Sequence, residues 1–173
     1  MKKIVLLFLA TVVLASCGRD KEANKDEAKK EVAVEKDQYS VVLEAIYEKD
    51  DVLKVVYKLD GYWKEDGPIE FKVKGNPLAQ KLDIKIPAGV SLQNVKITLS
   101  TNKEQKTVKI NTLNIVNKGV FCFENGTLYG GYFDANEGLS WDEKAVAFVL
   151  NHDKTYPPGL GGNAKLEELL PLN

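Results

Sequence analysis

The sequence predicts an all-β fold, a β-sandwich with a short C-terminal helix, and two observations carry that prediction. From Tyr39 onward, apolar residues recur at alternate positions in short runs, the period of strands with one face buried. Turn-forming Gly, Pro, Asn and Asp clusters separate the runs at spacings of about 8 to 15 residues, without the helical periods that βαβ units require. Composition sets the outer bounds. A chain of 173 residues, 44% hydrophobic and 28% charged, holds one ordinary core and is not a disordered or fibrous chain. A net charge of -1 excludes a basic nucleic-acid binder, and the single histidine, His152, excludes sites built on two histidines.

Residues 1–16 read as a secretion signal: Lys2 and Lys3, an uncharged run from Ile4 to Ala15, then small residues before Cys17. The run is too short for the roughly 20 residues with which a helix crosses a bilayer. The tetrad Leu14-Ala15-Ser16-Cys17 resembles the lipobox of bacterial lipoproteins, with each position matched. The resemblance implies cleavage before Cys17, a diacylglycerol on its thiol and a further acyl chain such as palmitate on its new amino group. Two or more acyl chains give stable anchoring where one gives marginal binding. Gly18 in place of aspartate resembles lipoproteins released to the outer membrane, so the expected location is the cell envelope, facing the periplasm or the cell surface. Loss of Lys2 and Lys3 with the signal leaves 22 basic against 25 acidic side chains, a mature charge near -3 that suits neither nucleic acid nor an anionic membrane surface.

Residues 17–38 comprise the anchor cysteine and a charged tether. Gly18 to Gln38 alternates Lys, Glu, Asp and Ala, with only Val32 and Val34 as sizeable apolar side chains, too little burial to offset the entropy of ordering. The domain occupies 39–173. Val41, Leu43 and Ile46 mark a first strand, Glu48 to Asp51 a turn, and Val52 to Leu59 a second strand expected to pair with the first as a hairpin. Gly61 and Asp66-Gly67-Pro68 break the chain before Ile69, Phe71 and Val73 alternate with charged residues. The same alternation returns at Leu82, Ile84 and Ile86, halts at Pro87-Ala88-Gly89, and resumes at Val95, Ile97 and Leu99. After a turn at Asn102 to Gln105, Val108 and Ile110 lead to Leu113 and Ile115, ended by Asn117-Lys118-Gly119. Val120 to Phe123 and Thr127 to Phe133 read as two further strands about a turn at Glu124-Asn125-Gly126. Trp141 to Leu150 fits either a helix behind the capping box Ser140-Trp141-Asp142-Glu143 or an inner strand, the alternation of Val146, Phe148 and Leu150 favouring the strand. Asn163 caps a helical turn or two carrying Leu166, Leu169 and Leu170, stopped by Pro171.

Catalytic signatures are sparse. Nucleotide-binding glycine loops, CxxC pairs and G-x-S-x-G elbows are absent from the sequence. Cys122, flanked by Phe121 and Phe123, reads as a small buried hydrophobe, and a Cys122–His152 dyad has no supporting motif. The acidic stretch Asp134 to Gly138, with Asp142 and Glu143 following, offers oxygen ligands for calcium but fails the EF-hand pattern, with glycine fifth and Ala145 twelfth. A carboxylate-based hydrolase ranks as a third reading. No cofactor or metal is expected beyond the covalent lipid on Cys17. The aromatic residues Tyr62, Trp63, Tyr129, Tyr132 and Trp141 form the candidate ligand platform, since such rings offer a broad apolar face with a polar edge for a sugar or a protein partner. The succession of strands, with Phe121-Cys122-Phe123 and Tyr132-Phe133, is similar to jelly-roll carbohydrate-binding modules in architecture, which by itself assigns no ligand. The expected function is a lipid-anchored, non-catalytic module binding an extracytoplasmic ligand, a glycan or a protein component of the envelope, with a structural or assembly lipoprotein holding a protein partner as the alternative.

Overall fold

A computed structural model describes residues 37–172. The signal segment, Cys17 and the tether up to residue 36 lie outside the described residues. Among the described residues, twelve strands form two sheets. In chain order they are β1 (Tyr39–Tyr47), β2 (Asp51–Leu59), β3 (Tyr62–Trp63), β4 (Ile69–Val73), β5 (Asn76–Lys85) and β6 (Asn94–Thr98). There follow β7 (Thr107–Asn117), β8 (Val120–Phe121), β9 (Phe133–Ala135), β10 (Leu139–Asp142), β11 (Ala147–Leu150) and β12 (Gly159–Gly162), then helix α1 (Ala164–Leu169). One sheet has the order β10-β11-β7-β1-β5 with β8 also on β7; the other has β3-β2-β6-β12-β9 with β4 also on β2. All pairings are antiparallel.

The alternation in the sequence becomes the two faces of each sheet. Along β1, Tyr39, Val41, Leu43, Ala45 and Tyr47 are buried while Glu44 is exposed. On β5, Leu82 and Ile84 are buried between the exposed Lys81, Asp83 and Lys85, and on β6 Val95 and Ile97 flank the exposed Lys96. These rows meet in one core, where each fully buried aliphatic side chain contributes about 1.5–3 kcal/mol. Buried Tyr47 joins the sheets through a hydroxyl that donates to the Leu99 carbonyl at 2.9 Å. The change of phase from Val108 and Ile110 to Leu113 and Ile115 is a β-bulge. Glu44 lies opposite Thr112 and Ala45 opposite Ile110, so Asn111 is the additional residue.

Three expectations are corrected. First, β1 and β2 are not a hairpin, because β1 pairs with β5 and β7 while β2 pairs with β3, β4 and β6 in the opposite sheet. Alternation defines which face is wet, not which strand is the neighbour. The crossing is fixed by the buried Asp51 carboxylate, which accepts the backbone N–H groups of Val52, Thr101 and Asn102 and the Ser100 hydroxyl. Second, Thr127 to Phe133 is mostly a 3-10 segment (Gly126–Gly131), and only Phe133–Ala135 is strand. Asn125 caps it by accepting from the Thr127 N–H and hydroxyl. Gly126 lies so close to β7 that a Cβ there would sit 3.2 Å from that of Thr112. Third, Trp141 to Leu150 is neither a helix nor one strand but the hairpin of β10 and β11. The Asp142 side chain accepts from the Lys144 and Ala145 N–H groups in the turn, and Val146 takes a φ of 51°. The C-terminal helix stands as expected: Asn163 accepts from the N–H groups of Lys165 and Leu166, and Leu166 and Leu170 are fully buried.

Candidate functional site

Register places the site. Trp141 on β10 lies opposite Phe148 on β11, and Phe148 opposite Val108 on β7, so the three form one row across the sheet. Val108 and Phe148 are buried in the core; Trp141, at the sheet's edge, is 47% exposed. Its ring meets Phe148 edge-on, centroids 5.1 Å apart at 72°, a favourable aromatic geometry that fixes the indole. Tyr129, from the 3-10 segment, has its ring centroid 6.5 Å from that of Phe148.

Between these rings a groove of about 660 Å³ opens, within the size range of small-ligand sites. Trp141, Tyr129 and Phe148 supply its aromatic surface, while Ile110, Phe133 and Leu160 carry it across to the edge of the second sheet. Lys109, Asn111 and Thr127 add polar groups to a largely apolar lining. Asn111 lies at the β7 bulge, and its amide donates to Glu44 at 3.3 Å. Burial pushes the Tyr129 phenol above its ordinary value, so it remains a neutral donor and acceptor at physiological pH.

The five aromatic residues singled out in the sequence do not share one surface. Tyr129 and Trp141 converge on the groove. Tyr132 instead stacks on Phe123 at 4.4 Å and 18°, against the core. Tyr62 and Trp63 lie on β3, at the edge of the second sheet opposite to β9, with the Lys96 ammonium 4.3 Å from the Trp63 ring centroid. Sequence reasoning missed Lys109, Asn111, Thr127 and Phe148 as lining groups. The phase change at Asn111 was the available signal, since bulges re-aim side chains.

Cys122 and His152 cannot act together. Cys122 bonds through its N–H to Ile115 near the end of β7, whereas the His152 ring contacts the carbonyl of Gln105 just before β7 begins. Ten residues of extended chain between Gln105 and Ile115 span about 30 Å. At 3.0 Å from that carbonyl, His152 Nε2 is the protonated nitrogen, and Nδ1 has no hydrogen-bond partner among the described residues. Burial pushes the Cys122 thiol up to about 11. In the acidic stretch, Asn136 Oδ1 accepts the N–H groups of Gly138 and Gly159, and Asp142 is engaged in its turn. Among the described residues no group of three or more His, Cys, Asp or Glu side chains is placed to hold a metal ion.

Comparison of the chain with protein-family models, with curated proteins and with solved structures gives no match.

Proposed function

We propose that this chain is a lipid-anchored, non-catalytic binding module of the cell envelope, and that the groove beside Trp141 takes a glycan. The observation that supports it is the half-exposed indole, held edge-on by Phe148 and flanked by Tyr129, with Lys109, Asn111 and Thr127 around it. A pyranose has an apolar face that covers such a ring and equatorial hydroxyls that reach surrounding donors and acceptors. Isothermal titration with β-linked hexose and N-acetylhexosamine oligosaccharides tests this reading. Trp141→Ala should weaken binding by about tenfold or more, as expected for an aromatic anchor that the ligand covers, while Trp63→Ala on the distant edge leaves it unchanged. Binding that survives Trp141→Ala would remove the groove from consideration.

A second reading, an assembly lipoprotein holding an envelope protein, draws on β5. Among the described residues that strand is paired only on its β1 side, and it carries Leu78 at 71% exposure, a template for strand addition. A stoichiometric protein recovered with the anchored chain, lost on introducing proline at Lys81 in β5, would favour it over the glycan.

A further inference from the structure

A second groove lies on the outer face of the first sheet and shares no lining residue with the groove beside Trp141. Alternation places its floor. On β7, Leu113 and Ile115 point into the core, so Thr112, Asn114 and Val116 stand on the outer face; on β1, Val42 and Glu44 do the same between Val41, Leu43 and Ala45. Register sets two rows across the sheet, Lys81, Glu44 and Thr112 in one, Asp83, Val42 and Asn114 in the next. Phe121 on β8 lies opposite Val116, on this same face, and is 59% exposed. The segment after β8 follows the side of β7 away from β1, through the bond from Cys122 N–H to the Ile115 carbonyl, and its Glu124 and Gly126 close that side of the groove. The space between these groups is about 260 Å³.

The polar groups here are largely unspent. Asn114 is 5% exposed, and its Nδ2 donates to the Phe123 carbonyl at 2.8 Å, which fixes the orientation of the amide. Phe123 lies on the side of β7 away from β1, so Oδ1, at the opposite corner of the amide, turns toward Val42 across the floor. That oxygen has no hydrogen-bond partner among the described residues. Buried acceptors are served as a rule, and this one calls for a donor from outside the described chain. Glu44 accepts only from the Asn111 amide, at 3.3 Å. Among the described residues no ion pair or side-chain hydrogen bond engages the Glu124 carboxylate or the Lys81 ammonium, although Lys81 lies opposite Glu44. Asp83, in the next row, is paired with Lys85 at 2.9 Å. Three acceptors, Glu44, Glu124 and Asn114 Oδ1, thus meet one cation beside an exposed aromatic ring.

We propose that this groove binds a ligand carrying a primary ammonium or guanidinium group on an aliphatic stem, the chemistry of a lysine or arginine side chain and of a small polyamine. The cationic head donates to Asn114 Oδ1 and to the Glu44 and Glu124 carboxylates, and the stem lies between Val42 and the Phe121 ring. Such heads carry several donors and no acceptor, so a cluster of unspent acceptors is the lining they require. An aromatic face beside carboxylates adds attraction for a cation. Lys81 offsets one of the two carboxylates and leaves the lining with a net negative charge. The proposal rests neither on acylation of Cys17 nor on a glycan in the groove beside Trp141.

The test follows the backbone and asparagine side-chain amide signals of the isotope-labelled full chain in detergent micelles by NMR. It is titrated with agmatine, with Nα-acetyl-lysine methylamide and with the neutral N-butylacetamide. The expected result is a saturable shift of the Phe121, Glu124 and Asn114 signals with the two cations and none with the neutral compound. A response to agmatine alone would support the site and identify small amines as the source, and a response to the blocked lysine alone would support it with a peptide side chain as the source. Glu44→Gln and Glu124→Gln, both at exposed positions, should each weaken binding by about threefold or more, while Trp141→Ala leaves it unchanged. No saturable shift with either cation would overturn the proposal, with Asn114 Oδ1 then served by water alone. Equal shifts with N-butylacetamide, or binding that survives both glutamine substitutions, would overturn it as well.

Discussion

Asp51 is the most informative single position for stability. The residue is 6% exposed and its two oxygens serve five donors: Val52 N–H at 2.7 Å, Thr101 N–H at 2.9 Å, Asn102 N–H at 3.0 Å, the Ser100 hydroxyl at 2.6 Å and, more weakly, the Thr101 hydroxyl at 3.4 Å, which also reaches the Val52 carbonyl. In Asp51→Ala, Asn102 N–H still has the Ser100 oxygen at 3.2 Å, and the Ser100 hydroxyl still has the Asn102 carbonyl at 3.1 Å. Val52 and Thr101 lose a charged acceptor without a side-chain replacement. At about 1.5–3 kcal/mol for each bond to a charged group, the loss is about 3–6 kcal/mol. Removing a buried carboxylate relieves some desolvation, which brings the expected net to about 3 kcal/mol. For a domain of about 135 residues the entropy of unfolding converts this to a fall of about 10 °C in melting midpoint. Asp51→Asn, which retains one accepting oxygen, should lose about half as much. Thermal and urea unfolding followed by circular dichroism read both values. The neighbouring Asp50→Ala, which removes an exposed ion pair to Lys74, serves as the comparison and should move the midpoint far less. A midpoint for Asp51→Ala within a degree or two of the parent would refute the view that this carboxylate fixes the crossing between the sheets.

Other outcomes follow from single contacts. Gly162→Ala places a Cβ 2.0 Å from Asn94 Oδ1, an atom held by the Val95 N–H, and 2.5 Å from Leu166; a loss of about 3 kcal/mol is expected in urea unfolding, whereas Gly130→Ala, with open space around it, should be neutral. The Cys122 thiol, pushed up to about 11 by burial, should resist alkylation at mild alkaline pH until denaturant is added, and fast labelling of the native domain would show that the site is open. The hydrogen bond from Lys58, then that from Asn94, lowers the Glu167 carboxyl below its ordinary value. A depressed folded-state value contributes stability above the unfolded value of about 4.3, lost as pH falls through the lower folded value. Glu167→Gln should therefore flatten the acid limb of a pH–stability profile slightly, the effect being small because the carboxylate is largely solvated.

Much of the sandwich was legible because its signals are local. Burial on β1, β5 and β6 follows the alternation written in the sequence, the Asn163 cap starts α1, and the phase change between Ile110 and Leu113 is the bulge at Asn111. A period of two tells each strand which face is wet, and a capping side chain acts within three residues. The identity of each neighbour is not local. The separation of β1 from β2 and the position of the β10–β11 hairpin depend on contacts between segments far apart in the chain, such as Asp51 with Ser100 to Asn102. The same limit applied to the aromatic residues: composition marked five of them, but only the register of β10 on β11 and the cap at Asn125 bring Trp141 and Tyr129 to one groove, while Tyr62 and Trp63 go to another edge. The sequence by itself determined the strand faces, most of the breaks between strands and the resemblance to a lipobox at Cys17. Tertiary structure decided the pairing order and the groove, because side-chain periodicity is a property of a strand and adjacency a property of the whole chain.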